Sequence, residues 1–363
     1  MFESVTRRTL LKSALGSAAL GVPAVRAAVP QFRRGGMIYR RLGQTDLYVS
    51  ALSFGSHTDP AYKLPGPNGI TVLNEAGQAR RDRQVARAFD LGINMLDIYE
   101  KDGQWEASAR SMRSRRDKVL ASLCLTVDEP ILTNINRAAK LFGHSDMYRF
   151  HTGTIDGPAM ENWDVLRKAK EAGKVRAIGI STHVENTMLQ AVRELDGIDY
   201  IFFPYNFIHA RADYSQFLPL ALEREIGLIA MKPLASGSIM KLDPKARPGM
   251  KPEFEPLQLW QRRNKQVLPA AVAELTKSLD RMPEETLCMA AMRFVYSRPF
   301  VSTAIAGMFD ATLLEDNYRA LTRYQEMQPA GQAALDRARD LARLAGGQWL
   351  PPRYRWLEER WRG

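Results

Sequence analysis

Residues that bind metals are scarce in this sequence, and they are not grouped. Its 363 residues include only two cysteines, Cys124 and Cys288, and five histidines. A structural metal site needs several such ligands at short, regular spacings, and no such spacing occurs here. The sequence therefore predicts neither a metal site nor a disulfide framework, and we expect two buried thiols rather than an oxidised pair.

Long hydrophobic runs are also missing, and the nearest approach to one lies at the N-terminus. Within residues 1–28, Arg7 and Arg8 precede a short apolar stretch, and small residues follow around Ala27. This pattern resembles a twin-arginine export signal. The apolar stretch is short for a membrane anchor and is interrupted by Gly and Pro. We therefore expect recognition by the twin-arginine export machinery, cleavage, a periplasmic location and no stable membrane span afterwards.

Acidic residues are fewer than basic ones. The 40 Asp and Glu residues against 51 Lys and Arg residues give a formal net charge of +11. A basic surface suits nucleic acid, anionic lipid or a phosphorylated ligand. A periplasmic location argues against nucleic acid, and a solvated basic face is the commonest explanation of such a charge; the small-molecule substrate expected as partner comes from the family resemblance given below. Residues 346–363 mix arginines with Trp356 and Trp361, and we expect a tail that caps the fold rather than a membrane contact.

The chain between these ends alternates short apolar strands with helices. A hairpin is predicted in "MIYRRLGQTDLYVS", and eight strands follow it: "ALSFG", "INMLD", "KVLASLCL", "MYRFH", "VRAIGIS", "DYIFFPYN", "GLIAMKP" and "FVSTAIAG". A doubly wound sheet would carry a Gly-rich turn after its first strand, and none is present. The pattern therefore predicts an α/β fold, a (β/α)8 TIM barrel over residues 37–345 with an N-terminal β-hairpin.

Helix periodicity and loop length add detail to this prediction. In "RDRQVARAFDLG", Val85, Ala88, Phe89 and Leu91 share one face, which predicts a helix that Gly92 ends. Two connections are long for a barrel, "SHTDPAYKLPGPNGITVLNEAGQAR" and "KLDPKARPGMKPEFEPLQLWQRRNK". Both are expected at the C-terminal rim, where barrel active sites lie. The second loop is basic, so it either folds over an anionic ligand or forms a surface loop.

Several segments resemble the aldo-keto reductase family, in the same order along the chain. They include "YRRLGQTDLYVSALSFG", "AFDLGINMLD", "DMYRFH", "LRKAKEAGKVRAIGIS" and "TLLEDNYRAL". The resemblance implies an NADP(H)-dependent oxidoreductase that reduces a small carbonyl or oxidises a small alcohol. In that family a Tyr donates the proton, a Lys lowers the pKa of the Tyr, an Asp holds the Lys, and a His orients the carbonyl.

Only half of this catalytic set is matched. Asp97 and His151 stand at the family positions, whereas Asp102 replaces the Tyr and Leu123 the Lys. Tyr99 either takes over as proton donor or packs at the rim. Asp102 is either an acid whose pKa Asp97 raises, or an exposed loop residue. His151 either binds substrate, acts as an acid in its own right, or is a structural rim histidine.

The resemblance also implies a nucleotide site with altered residues. Ser181 and Thr182 replace a Ser-Asn pair that holds the nicotinamide amide, Phe202 replaces a Gln, and Met231 replaces a stacking Tyr. The other residues expected to bind NADP(H) are Lys232, Pro233, Leu234, Gly307, Asp316 and Asn317. A cation that commonly grips the 2′-phosphate after the last strand is missing. Lys232 and the basic loop are expected to supply positive charge instead.

Three functions remain open on this sequence. The first is an oxidoreductase with an atypical acid–base site, because loss of a general acid slows hydride transfer by about 10²–10⁴-fold without forbidding it. The alternative is a catalytically lapsed barrel that acts as a periplasmic ligand- or partner-binding module. A third is lyase or isomerase chemistry that uses Asp97, Asp102 and His151.

Overall fold

The computed structural model describes ten stretches of the chain. They are residues 28–66, 71–99, 103–127, 130–144, 146–207, 209–235, 239, 284–308, 310–327 and 331–337. The predicted export signal, the candidate acid Asp102, the basic loop and the C-terminal tail lie outside them, so these predictions, like the domain limits, stay predictions. No helix among the described residues is long and apolar enough to cross a bilayer.

A small antiparallel sheet closes the N-terminal end of the fold. Its strands are β1 (Gln31–Arg34), β2 (Met37–Arg41) and β3 (Tyr48–Ser50), in the order β1-β2-β3. Strands β2 and β3 are the predicted hairpin, and β1 is an exposed strand added to it. Leu42, Leu47 and Val49 from this region pack in the barrel interior beside Met95 and Met147.

Eight parallel strands form a closed barrel, which confirms the predicted fold. They run in the order β4 (Leu52–Gly55), β7 (Met95–Tyr99), β8 (Leu120–Leu125), β9 (Met147–His151), β10 (Ala177–Ser181), β11 (Tyr200–Pro204), β12 (Gly227–Met231) and β13 (Thr303–Gly307). Strand β13 pairs with β4 and closes the ring. Because successive side chains alternate between faces, each strand supplies one layer to the interior and one to the helices outside.

The helices surround this barrel. They are α1 (Glu75–Asp90), α2 (Gln104–Met112), α3 (Ile131–Phe142), α4 (Gly157–Glu171), α5 (Glu185–Glu194), α6 (Phe217–Glu223), α7 (Leu287–Tyr296) and α8 (Ala311–Gln325). Side-chain caps start several of them, because a polar oxygen accepts from an otherwise unpaired N–H of the first turn. Asn74, Asp156, Thr286 and Asp310 are such caps.

The long connection after β4 carries structure of its own. A turn of 3₁₀ helix at Pro60–Tyr62 leads into an antiparallel pair, β5 (Lys63–Pro65) and β6 (Thr71–Leu73). We call residues 56–66 and 71–74 the inserted segment. It packs on α1, since Arg80 Nη1 donates to the Tyr62 hydroxyl at 3.4 Å. The described part of the first long loop therefore contacts α1 through Tyr62.

Candidate active site

A buried ion pair joins the second and fourth strands of the barrel. Asp97 is the third residue of β7 and Arg149 the third residue of β9. Arg149 Nη2 lies 2.7 Å from Asp97 Oδ1, and both side chains are almost completely buried. Burial raises the pKa of the Asp97 carboxyl, and the charge of Arg149 opposes this rise. Burial disfavours the charged guanidinium, but Asp97 and neighbouring groups outweigh it and raise the pKa of Arg149.

Aromatic rings and a hydroxyl fix the position of Arg149. Its guanidinium carbon lies 3.9 Å from the ring centroid of Phe202 and 5.0 Å from that of Tyr99. Nη1 donates to Ser122 Oγ at 3.1 Å. A cation held over two ring faces in a dry interior gains from their quadrupoles. Phe202, which stands where the family has a Gln, thus supports a cation here.

Tyr99 lies directly beside this pair. It is the last residue of β7, shares the inward face with Asp97, and stacks on His57 with ring centroids 5.7 Å apart. Its backbone N–H donates to Gln104 Oε1 at 3.1 Å. Burial raises the pKa of the Tyr99 phenol, and Arg149 opposes this rise. Tyr99 therefore presents a protonated phenol beside the cation of Arg149, and no shift of the following loop is needed to bring them together. This is the arrangement that the hypothesis of Tyr99 as proton donor requires.

The structure corrects the prediction that Leu123 stands in the place of the family's lysine. Leu123 packs in the outer core between barrel and helices, together with Ile131 and Ile135. Its neighbour Cys124 faces the interior, where burial raises the pKa of the thiol and the charge of Arg149 lowers it. Cys124 is therefore the inward residue at the end of the third strand, and the cation comes instead from Arg149 on the fourth.

Sequence reasoning missed Arg149, although a signal was present. In "MYRFH" the arginine precedes His151 by two residues, so both must lie on the same face of a strand. A charged residue on the inward face of a buried strand needs a partner of opposite charge. Asp97 was the available carboxylate on a nearby strand.

His151 lies at the mouth but is not an acid at neutral pH. Its Nδ1 lies 3.3 Å from Ser181 Oγ. Its ring packs edge-on against the ring of His183, with the ring centroids 5.1 Å apart. One edge of the ring is exposed. Burial of the remainder, followed by the charges of Arg149 and Lys232, lowers its pKa to about 4. The lowered pKa disfavours His151 as an acid in its own right, and a neutral imidazole can orient a carbonyl by donating a hydrogen bond.

A group of polar residues follows the fifth, sixth and seventh strands. Burial, the charge of Lys232 and two neighbouring histidines lower the pKa of His183 to about 2. One of those histidines, His209, is buried. Lys232 has a positive φ of 55°, and its carbonyl accepts from Asn206 Nδ2 at 3.0 Å. Sequence reasoning missed His183 and His209, although each closely follows a barrel strand.

The residues expected to bind a cofactor lie at the ends of three barrel strands and on the helix after the last strand. Ser181 and Thr182 are buried after β10, and Met231, Pro233 and Leu234 are buried around the end of β12. Gly307 ends β13, and a side chain there would meet open space. On α8, Asp316 pairs with Arg319 at 2.9 Å, whereas Asn317 Nδ2 is buried without a hydrogen-bond partner in the described part of the chain.

These features fit a dinucleotide better than they fit a metal ion. The unsatisfied amide donor of Asn317 and the open strand end at Gly307 leave room and a hydrogen bond for a ligand. Lys232 is a nearby cation for a phosphate. Among the residues that the structure describes, no three His, Cys, Asp or Glu side chains are grouped to hold a metal.

Comparison with known proteins agrees with this fold. The model of the aldo/keto reductase family matches residues 69–336. "Uncharacterized oxidoreductase YqkF" of Bacillus subtilis (strain 168) is 23% identical over 308 residues, which is 77% of this chain and 90% of that protein. L-galactose dehydrogenase of Arabidopsis thaliana is 24% identical over 79% of this chain and 89% of its own length.

Two further proteins are similar to this chain. L-glyceraldehyde 3-phosphate reductase of Escherichia coli (strain K12) is 26% identical over 56% of this chain and 64% of its own length. The structure of aldo-keto reductase AKR11C1 from Bacillus halodurans in its holo form superimposes with a TM-score of 0.62. It is 20% identical and covers 87% of this chain and 99% of its own, so it supports the fold alone.

Proposed function

Because the chain belongs to the aldo/keto reductase family, we propose that it is an NADP(H)-dependent oxidoreductase of small carbonyls or alcohols in which Tyr99 exchanges the proton. One observation carries this proposal. The phenol of Tyr99 lies over the guanidinium of Arg149, whose charge is held by Asp97. A proton donor, a cation and an orienting carboxylate are thus present together, although the cation is an arginine from a different strand.

The chemistry of each side chain follows from this arrangement. Tyr99 donates its proton to the carbonyl oxygen as negative charge develops there, and Arg149 stabilises the phenolate that remains. Asp97 fixes Arg149, and neutral His151 donates a hydrogen bond to the same carbonyl oxygen. Tyr99 is only half buried, so solvent at the mouth can return the proton to it.

The raised pKa of Tyr99 sets the expected rate. A phenol whose pKa lies above its ordinary value is a weaker acid than one tuned down by a neighbouring lysine. We therefore infer that reduction is slower than in a site with such a lysine. Oxidation of an alcohol does not gain either, because a phenol with a raised pKa supplies less phenolate as base at neutral pH.

The residues proposed to hold NADP(H) are those at the ends of the fifth and seventh strands and on α8. Ser181, Thr182 and Met231 would border the nicotinamide, while Lys232 and Asn317 would contact phosphate and adenosine groups. When bound, the cofactor supplies or accepts the hydride. The unsatisfied amide of Asn317 supports this proposal, and so does the family to which the chain belongs.

The substrate class and the location are proposed on separate grounds. The names of two relatives, L-galactose dehydrogenase and L-glyceraldehyde 3-phosphate reductase, support a small hydroxylated carbonyl or alcohol. The Arg7-Arg8 pair supports export to the periplasm by the twin-arginine machinery. Replacing both arginines with lysine is expected to leave the protein in the cytoplasmic fraction, and unchanged export would count against this location.

The function is tested on protein purified after export through its own N-terminal segment. We expect copurifying or readily bound NADP(H), detected by mass spectrometry and fluorescence, and NADPH oxidation with small aldehydes. Tyr99→Phe should bind the nucleotide equally well and turn over much more slowly. Absence of any nucleotide binding would contradict the proposal and return the chain to the class of ligand-binding barrels.

A further inference from the structure

Buried polar side chains line the inner face of α1, where a barrel helix normally buries apolar ones. The buried residues of this helix are Gly77, Gln78, Arg81, Gln84, Val85 and Ala88. The face is thus polar in its first half and apolar only in its second half. Polar groups in such a position cost stability unless each finds a partner.

Most of the guanidinium group of Arg81 has no hydrogen-bond partner among the described residues. Its side chain is 2% exposed. Nη2 donates to the carbonyl of Ser56, but Nε and Nη1 are buried without a hydrogen-bond partner in the described part of the chain. Burial lowers its pKa to about 10, so the group is still charged at neutral pH. The described residues hold no carboxylate in an ion pair with it, and adjacent Asp82 pairs instead with Arg110 at 3.5 Å.

Other buried groups without partners, in the inserted segment and on α1, have the same chemical character. Ser56 Oγ and Thr58 Oγ1, in the inserted segment, and Gln84 Nε2, one turn along α1, are buried without partners among the described residues. Each of these groups can donate a hydrogen bond, and none carries negative charge. The complement of a guanidinium fork with several nearby donors is an anion with several acceptor oxygens, such as a phosphate or a carboxylate.

Ser56 connects Arg81 to the proposed active site. Ser56, whose carbonyl binds Arg81, donates its own N–H to the carbonyl of Asp97 at 3.0 Å. The next residue, His57, stacks on Tyr99. An anionic group held by Arg81 would therefore belong to a molecule whose other end reaches the mouth beside Tyr99.

We propose that Arg81, Ser56 and Thr58 form an anion subsite that selects small carbonyl substrates bearing a phosphate or carboxylate group. The proposal rests on the proposed function for its substrate, but the anion binding itself does not. Ser56 and Thr58 belong to the inserted segment, which contacts α1 through Tyr62 and Arg80.

Binding is tested with inorganic phosphate on the exported protein. Isothermal calorimetry and thermal unfolding are expected to show phosphate binding to wild type, and Arg81→Gln should weaken it about tenfold or more, since charged hydrogen bonds are lost. The matched control is Arg83→Gln, which removes the same charge from an exposed position on the same helix. Equal phosphate affinity in wild type and Arg81→Gln would overturn the proposal.

A second variant tests whether weaker phosphate binding in Arg81→Gln comes from misfolding. Arg81→Lys keeps the charge but loses the planar fork, so it is expected to fold and to bind phosphate more weakly than wild type. Unchanged phosphate affinity in Arg81→Lys and Arg83→Gln alike would mean that the guanidinium does not contact the anion, which also overturns the subsite.

Kinetics separate the subsite from the reaction. With glyceraldehyde 3-phosphate and glyceraldehyde as the charged and neutral aldehydes, Arg81→Gln should raise KM about tenfold for the charged one only, with little change in kcat. Arg83→Gln should leave both unchanged. An equal rise in KM for both aldehydes would contradict charge selection. If no aldehyde is reduced at all, the proposed function fails, and phosphate binding still decides the subsite.

Discussion

Arg149 lies 2.7 Å from Asp97 and under the ring of Tyr99, so the second and fourth barrel strands together supply a carboxylate, a cation and a phenol. The family resemblance implies a lysine from the third strand in this place. Moving the cation to the fourth strand keeps it on the inward face and brings it two residues from His151. The proposed acid–base residues therefore lie together in the barrel interior, with the cation on a different strand.

Removing the charge of Arg149 should destabilise the fold. Arg149→Met leaves Asp97 buried without its ion-pair partner, and breaking such a pair typically costs about 3–5 kcal/mol. The free energy of unfolding in urea measures this loss. The double variant Asp97→Asn with Arg149→Met removes both charges and should recover part of it, whereas a double variant as unstable as the single one would show that the pair is not the cause.

Acid should destabilise the protein partly through His183. Its pKa is about 2 in the folded protein against an ordinary value of 6.5, so the unfolded chain binds a proton that the folded one excludes. The contribution of His183 to the free energy of unfolding is then fully present above about pH 6.5. It is lost as the pH falls towards the pKa in the folded protein, by at most about 1.4 kcal/mol per pH unit for one group. Urea unfolding at several pH values measures the slope.

The matched variant for this slope is His183→Asn, which keeps a polar side chain but cannot titrate. Its free energy of unfolding should fall less steeply between pH 6.5 and 4 than that of wild type. Identical slopes would show that the His183 ring is more accessible to protons than its surroundings indicate.

The stability of a variant with a lysine on β8 should depend on whether the lysine lies on the inward or the outward face of the strand. Leu123→Lys puts an ammonium into the apolar outer core and should lower the yield of folded protein severely. Cys124→Lys combined with Arg149→Met should fold better, since the new ammonium faces Asp97. Soluble yield and thermal unfolding compare the two, and a more stable Leu123→Lys variant would refute the inward assignment of Cys124.

Nucleotide affinity should respond to Lys232 and Asn317. Lys232→Met removes a cation proposed to meet phosphate, and Asn317→Leu removes the unsatisfied buried donor. Each is expected to weaken NADPH binding by about tenfold, as expected for a lost charged or buried hydrogen bond. Fluorescence titration measures it, with Lys174→Met as a control on an exposed turn far along the chain.

The barrel could be predicted because its strands are local patterns. Each strand is a short apolar run between turn signals, and eight of them linked by helices leave few alternatives. Strand β1 was not predicted, because "QFRR" is exposed and does not alternate. Helix α1 begins at Glu75, before the predicted stretch, because Asn74 caps it and its first buried positions are polar, which hides the periodicity.

The site was harder to predict because its contacts join distant residues. Asp97 and Arg149 meet only once the strands lie side by side, and no local pattern links them. The error at Leu123 has the same origin, since a shift of one residue along a strand exchanges the inward and outward faces. The cluster around Arg81 likewise needs the inserted segment to be placed on α1.

The most direct test of this account is the rate of NADPH oxidation by a small aldehyde in Tyr99→Phe. The phenylalanine ring still packs between His57 and Arg149, so stability and nucleotide affinity should change little. Single-turnover measurements should show a rate about 10²–10⁴-fold below that of wild type, the usual contribution of a general acid. A rate equal to that of wild type would contradict Tyr99 as the proton donor.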